Sequence, residues 1–94
     1  LWMGVPMVTL KGDRVGAHLG ESIARAAGLE DWIAADAEDY VAKARAFAAD
    51  LDALASLRAG LRDRVLASSL YDGARFARHF EDALRQMWRK ACQA

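Results

Sequence analysis

The spacing of apolar and polar residues changes several times along this chain. Val5 to Leu10, Val-Pro-Met-Val-Thr-Leu, is almost unbroken in apolar residues and lies between Gly4 and the polar turn Lys11-Gly12-Asp13. A short apolar run between turn residues, carrying β-branched Val8 and Thr9, predicts a buried strand. Just ahead of it, Leu1-Trp2-Met3 runs into Gly4 and Pro6. That order predicts a helix end with Gly4 as its left-handed cap. From Asp13 the spacing lengthens, and Val15, Leu19, Ile23, Ala26 and Ala27 fall on one helical face. Gly28 stops this helix and Leu29 supplies the hydrophobic contact that follows a glycine cap. Trp32-Ile33-Ala34 then reads as a second, very short strand. Strand, helix, strand is a βαβ unit, so the strands are expected to be parallel, with a right-handed crossover.

The remainder is helical in period. Asp36 predicts an N-cap, with Asp39 three residues on as an approximate capping box, and Tyr40, Ala44, Phe47, Ala48 and Leu51 are the expected buried stripe. Asp50 or Asp52 restarts the chain into a helix carrying Leu54, Leu57, Leu61 and Val65. Ala67 to Gly73 is a break. The last segment has the clearest pattern, with Phe76, Phe80, Ala83, Leu84, Met87, Trp88 and Ala91 at helical spacing. The expected division is 1–35 as the βαβ part and 36–94 as the closing helices, an α/β class with a helical tail. Two short strands are little sheet for that architecture, because a parallel strand needs neighbours on its edges as well as on its faces. The expectation is therefore that these residues form the C-terminal end of a larger α/β domain.

Composition narrows the classes of function. Hydrophobic residues make up 54% of the 94 and there is one proline, which is the balance of a folded chain. Thirteen acidic and thirteen basic residues cancel, so no overall charge draws the chain to nucleic acid or to an anionic membrane. The charge is nevertheless uneven: residues 1–57 carry a net of −4 and residues 58–94 a net of +4. The plain reading is that the C-terminal helices lie against the acidic half; the other is a basic patch for an anionic partner. Cys92 has no partner for an internal disulfide. No apolar run approaches the ~20 residues of a membrane span, and a cytoplasmic protein is the default expectation.

Motifs of chemistry are sparse. His18 and His79 lie in different elements without Cys or carboxylate at ligand spacing, so no metal site is expected. No Gly-rich phosphate loop or nucleophile elbow is present. The three tryptophans read as packing residues. One stretch, Lys11 to His18, follows a predicted parallel strand and opens a helix. At the carboxyl ends of such strands, helix N-termini offer unpaired N–H groups to anions. Gly12, Asp13, Arg14 and His18 are thus the candidate binding residues, with Gly12 allowing the turn and Lys11 adding charge. Arg14 and His18 stand at i, i+4. The alternative is that Asp13 caps the helix and Arg14 is simply solvated.

Leu1 to Leu29, with Leu-Trp-x-Gly-x-Pro-x-Val-Thr over Leu1 to Thr9, resembles the last part of the catalytic region of O-GlcNAc transferase-like, SPINDLY-type glycosyltransferases. Residues 36–88 resemble the family's closing helices, down to Met87-Trp88. The resemblance implies a Rossmann-like lobe of a two-lobed GT-B enzyme, with tetratricopeptide repeats ahead of the catalytic part. It implies a parent that transfers a sugar, GlcNAc from UDP-GlcNAc, to Ser or Thr of a protein acceptor without a metal or other cofactor. The family's His-Thr-Thr/Asn-Gly-x-x-Asp segment precedes the Leu-Trp pair and is not among these residues, so the resemblance assigns no catalytic residue here. Gly12-Asp13-Arg14 matches the family; His18 stands where relatives often have Arg. The expected role of these 94 residues is scaffold beneath the donor site. The alternative reading is a small helical interaction module that self-associates through exposed apolar surface.

Overall fold

The computed structural model describes residues 1–94. It is a mixed α/β fold, 69% helical, with two short parallel strands. Strand β1 is Thr9–Leu10 and β2 is Ile33–Ala34; Thr9 pairs with Ile33 and Leu10 with Ala34. Between them lie a 3₁₀ turn at Val15–His18, helix α1 at Leu19–Ala26 and a 3₁₀ turn at Glu30–Trp32. Helices α2 (Ala37–Ala49), α3 (Leu51–Leu66) and α4 (Gly73–Gln93) follow. The parallel strand–helix–strand order is the one the sequence predicts. The first strand is shorter than Val5–Leu10, since only Thr9 and Leu10 have a partner strand and Val5 to Val8 stay unpaired.

Local chemistry sets the element ends. Gly28 adopts φ +69°, the left-handed region that a side chain resists. The Leu29 N–H reaches the Ala24 carbonyl at 2.8 Å and the Gly28 N–H reaches that of Arg25 at 3.0 Å, the paired bonds of a Schellman ending. Gly4 also sits at φ +69°, closing a turn in which its N–H bonds to the Leu1 carbonyl at 2.9 Å. Residues 1–3 form that turn rather than a helix. Each of the last three helices is capped by an aspartate: Asp36 accepts from the Asp39 N–H, Asp50 from Ala53 and Asp72 from Arg75, at 2.8, 2.9 and 2.9 Å. Asp39 in turn accepts from the Ala35 N–H at 2.9 Å. Asp50, not Asp52, therefore starts α3.

The core is small. Ala24, Ala27, Leu29, Trp32, Leu61 and Val65 form one buried cluster, with Leu1, Val8, Ile33, Phe47, Leu54, Leu57 and Leu70 packed around it. It joins the C-terminal end of α1 and its turn to one face of α3. Trp32 stacks on Phe47 with ring centroids 3.8 Å apart. The stripe predicted on α3 holds, with Leu61 and Val65 fully buried. Other stripes do not. On α1, Val15 and Leu19 face solvent while Ala24 and Ala27 are inside; on α2, Phe47 alone of the expected five is half-buried. Helix α4 is exposed along its whole length, so the C-terminal helices do not all lie against the acidic half. Of the tryptophans only Trp32 is in the core; Trp2 and Trp88 are exposed.

The molecule is accordingly long, 58 × 30 × 14 Å, with a radius of gyration of 17.5 Å. A compact chain of this length has about 12 Å. Arginines of α3 tie down the turns: Arg58 donates to the Gly4 carbonyl at 3.2 Å and Arg64 to the Gly28 carbonyl. The Arg62 guanidinium lies 5.2 Å from the centre of the Trp2 ring, which also meets Tyr71.

Candidate functional site

The loop that leaves β1 runs from Lys11 into the 3₁₀ turn. The Lys11 N–H bonds to the Ala34 carbonyl at 2.8 Å, so the loop starts where the strand pair ends. A Cβ at Gly12 would collide with the Cβ of Ala17, and that is why the chain folds so tightly there. Asp13 and Arg14 are exposed. Arg14 holds the N-cap position in an extended conformation, φ −113° and ψ 153°, and no side chain caps the turn. Asp13 therefore is not the cap that the sequence suggested. The helical i, i+4 relation between Arg14 and His18 also lapses, because Arg14 lies outside the helix.

His18 turns instead toward α1. Its Nδ1 donates to Glu21 Oε2 at 3.0 Å, and Arg25 donates to Glu21 Oε1 from Nε at 3.2 Å and from Nη2 at 2.9 Å. The Glu21 carboxylate is almost enclosed, with 11% of its side chain exposed. Its pKa is held below the ordinary 4.5, chiefly by the His18 hydrogen bond and then by that of Arg25; burial opposes this, and the positive charge of Lys11 adds to it. Lys11, His18, Glu21, Ser22 and Arg25 line a shallow polar depression of about 400 Å³.

The structure thus brings His18 together with Lys11, Glu21 and Arg25, and leaves Gly12, Asp13 and Arg14 as the connecting turn. Glu21 and Arg25 were legible as partners, since His18, Glu21 and Arg25 fall at i, i+3 and i, i+7 on one helical side. Chemically, the cluster is a clamp that joins the 3₁₀ turn to α1. It contains neither a nucleophile beside a base nor two opposed carboxylates. No group of three His, Cys, Asp or Glu residues converges elsewhere, and no helix is long and apolar enough to cross a membrane.

The arrangement around this loop is a short parallel strand pair joined through one helix and followed by three further helices. Comparison with known proteins gives the family. The model of glycosyl transferase family 41 matches residues 1–80, and the chain belongs to that family. It is 40% identical over 92 residues to the probable UDP-N-acetylglucosamine–peptide N-acetylglucosaminyltransferase SPINDLY of Solanum lycopersicum, covering 98% of this chain and 10% of that protein. The UDP-N-acetylglucosamine–peptide N-acetylglucosaminyltransferase of Caenorhabditis elegans is 32% identical over 90 residues, 96% of this chain and 8% of that protein. The probable SEC enzyme of Arabidopsis thaliana is 32% identical over 93 residues, 98% and 10%. The chain therefore spans about a tenth of the length of these relatives.

Proposed function

We propose that these residues are the closing part of the catalytic region of a protein O-linked sugar transferase, and that they act there as scaffold. The observation that carries this is the 40% identity running over 92 of the 94 residues, helical tail included. The parent takes GlcNAc from UDP-GlcNAc and transfers it to a peptide, as the names of the relatives describe for those proteins; in this reading the accepting groups are Ser or Thr hydroxyls. Within this reading the lobe is Rossmann-like, one of two in a GT-B enzyme, behind tetratricopeptide repeats, in the cytoplasm. Parallel pairing of β1 and β2 around α1 supports the lobe assignment.

The Gly12–His18 segment lies at the carboxyl end of β1, where ligands of open parallel sheets gather. Arg14 is the residue of this segment that extends into solvent without an ion pair, so it is the one placed to meet an anionic group of the donor. His18 is committed to Glu21 and orients the turn. The reacting groups come from outside these 94 residues. The deciding experiment is to incubate a polypeptide of the relatives' length that ends in this sequence with UDP-GlcNAc and a Ser/Thr peptide. Sugar on a peptide hydroxyl, located by mass spectrometry, supports the reading; a polypeptide that binds UDP-GlcNAc yet hydrolyses or ignores it refutes it.

A further inference from the structure

Glu21 is the one charged side chain among the buried residues of this chain. A carboxylate in that place carries a desolvation cost that an apolar residue of similar size would not. We infer that Glu21 is a positioning residue of the donor site: through His18 and Arg25 it holds the Gly12–His18 segment, and Arg14 with it, in one conformation. The inference rests on the transferase reading, in which Arg14 meets an anionic group of the donor.

The turn has little to hold it in place by itself. Val15–His18 buries no residue, Val15 is 93% exposed, and no side chain caps the start of the turn. Its closing backbone bond is the Ala17 N–H to the Arg14 carbonyl at 2.9 Å. Gly12 against Ala17 packs the loop on itself. Helix α1, in contrast, is anchored. Gly20 lies against Thr9 of β1, and Ala24 and Ala27 are in the core. Glu21 stands on this anchored helix and reaches back to the turn. Arg25 donates to Oε1 from both Nε and Nη2, which sets the carboxylate and leaves Oε2 to accept from His18 Nδ1 at 3.0 Å. The two donors are themselves half-exposed. Removing Glu21 therefore leaves no buried cation behind, and the main loss falls on the order of the turn. A side chain on an unheld loop must be ordered when it binds, and that entropy is taken from the affinity; a held loop has lost the freedom beforehand. Glu21 is thus expected to act on donor binding and not on the chemical step.

The test uses a polypeptide of the relatives' length that ends in this sequence. Glu21→Ala and His18→Ala should each raise KM for UDP-GlcNAc about tenfold with kcat nearly unchanged, the pattern of a lost binding contribution. His18→Asn, whose amide nitrogen stands where Nδ1 stood, should recover most of the affinity that His18→Ala loses. Arg14→Ala should raise KM as well, and adding Glu21→Ala to it should change little further, because the two act through one contact. A KM that Glu21→Ala leaves unaltered overturns the inference, as does a fall confined to kcat or full additivity with Arg14→Ala. A second measurement is independent of sugar transfer. In the 94-residue chain, Glu21→Ala should speed amide hydrogen exchange at Ala17 by about tenfold and leave the amides around Leu61 as they are. If the long polypeptide transfers no sugar, the transferase reading fails and this exchange result decides the role of Glu21: an Ala17 amide that exchanges at the unaltered rate overturns it. Should Glu21→Ala lose its helicity by circular dichroism, His18→Ala takes its place in both measurements.

Discussion

Leu61 is the residue on which the small core most depends, and Leu61→Ala is the sharpest perturbation of it. The side chain is fully buried and touches the cluster that joins α1 to α3. Full burial of a leucine contributes about 2 kcal/mol, and the cavity left by truncation adds to the loss. The cluster has only six members and Trp32 reaches its edge, so the site relaxes in part and the expected cost is about 3 kcal/mol, the lower part of the range for such changes. A chain of this size with so few buried residues has a stability near 5 kcal/mol. More than half is lost. In urea, with a slope of about 1 kcal/mol per molar, the midpoint should fall by about 3 M. Leu51→Ala is the matched control: the same chemistry at a side chain 68% exposed, expected to cost under about 0.5 kcal/mol. Equal effects of the two substitutions would refute the placement of the core on α3.

Three further outcomes follow from local structure. Gly28→Ala forces a side chain into φ +69° and against the Arg64 guanidinium, and should cost about 1–2 kcal/mol by the same urea assay. Asp36→Ala removes the acceptor for the Asp39 N–H and should cost about 1 kcal/mol, with loss of ellipticity from the first turn of α2. The lowered pKa of Glu21 sets a pH dependence: the stability it confers is complete above the unfolded value near 4.5 and is lost as pH falls through the lower folded value. Urea midpoints of the unaltered chain and of Glu21→Gln should therefore differ most at neutral pH and converge in acid. A difference that is flat with pH would remove the clamp from the account.

Sequence was most informative where the chain's own chemistry closes the structure. Asp36, Asp50 and Asp72 cap helices because a short acceptor beside three free N–H groups needs nothing distant. Gly28 and Leu29 end α1 for the same reason. The α3 stripe was legible because its partner, the α1 turn, is in the same chain. Periodicity identified the apolar faces of α2 and α4 and the Val15–Leu19 side of α1 as well, but it cannot say what covers a face: Phe47 of α2 meets Trp32, while α4, Val15 and Leu19 stay exposed. At the candidate site, glycine and strand placed the loop correctly. Asp13 failed as a cap because Gly12, pressed on Ala17, brings the chain into the turn one residue late, with Arg14 extended at the start. Glu21 was overlooked because an acid in a first helical turn has a ready explanation in the helix dipole. Its spacing from His18 and Arg25 was the signal.

The scaffold role has a direct test in trans. A relative-length transferase polypeptide lacking the segment equivalent to residues 1–94 should be inactive with UDP-GlcNAc and a Ser/Thr peptide. Adding the separate 94-residue chain should restore transfer, while that chain alone should transfer nothing. Full activity of the shortened polypeptide without the added chain, or transfer by the 94 residues by themselves, would contradict the account.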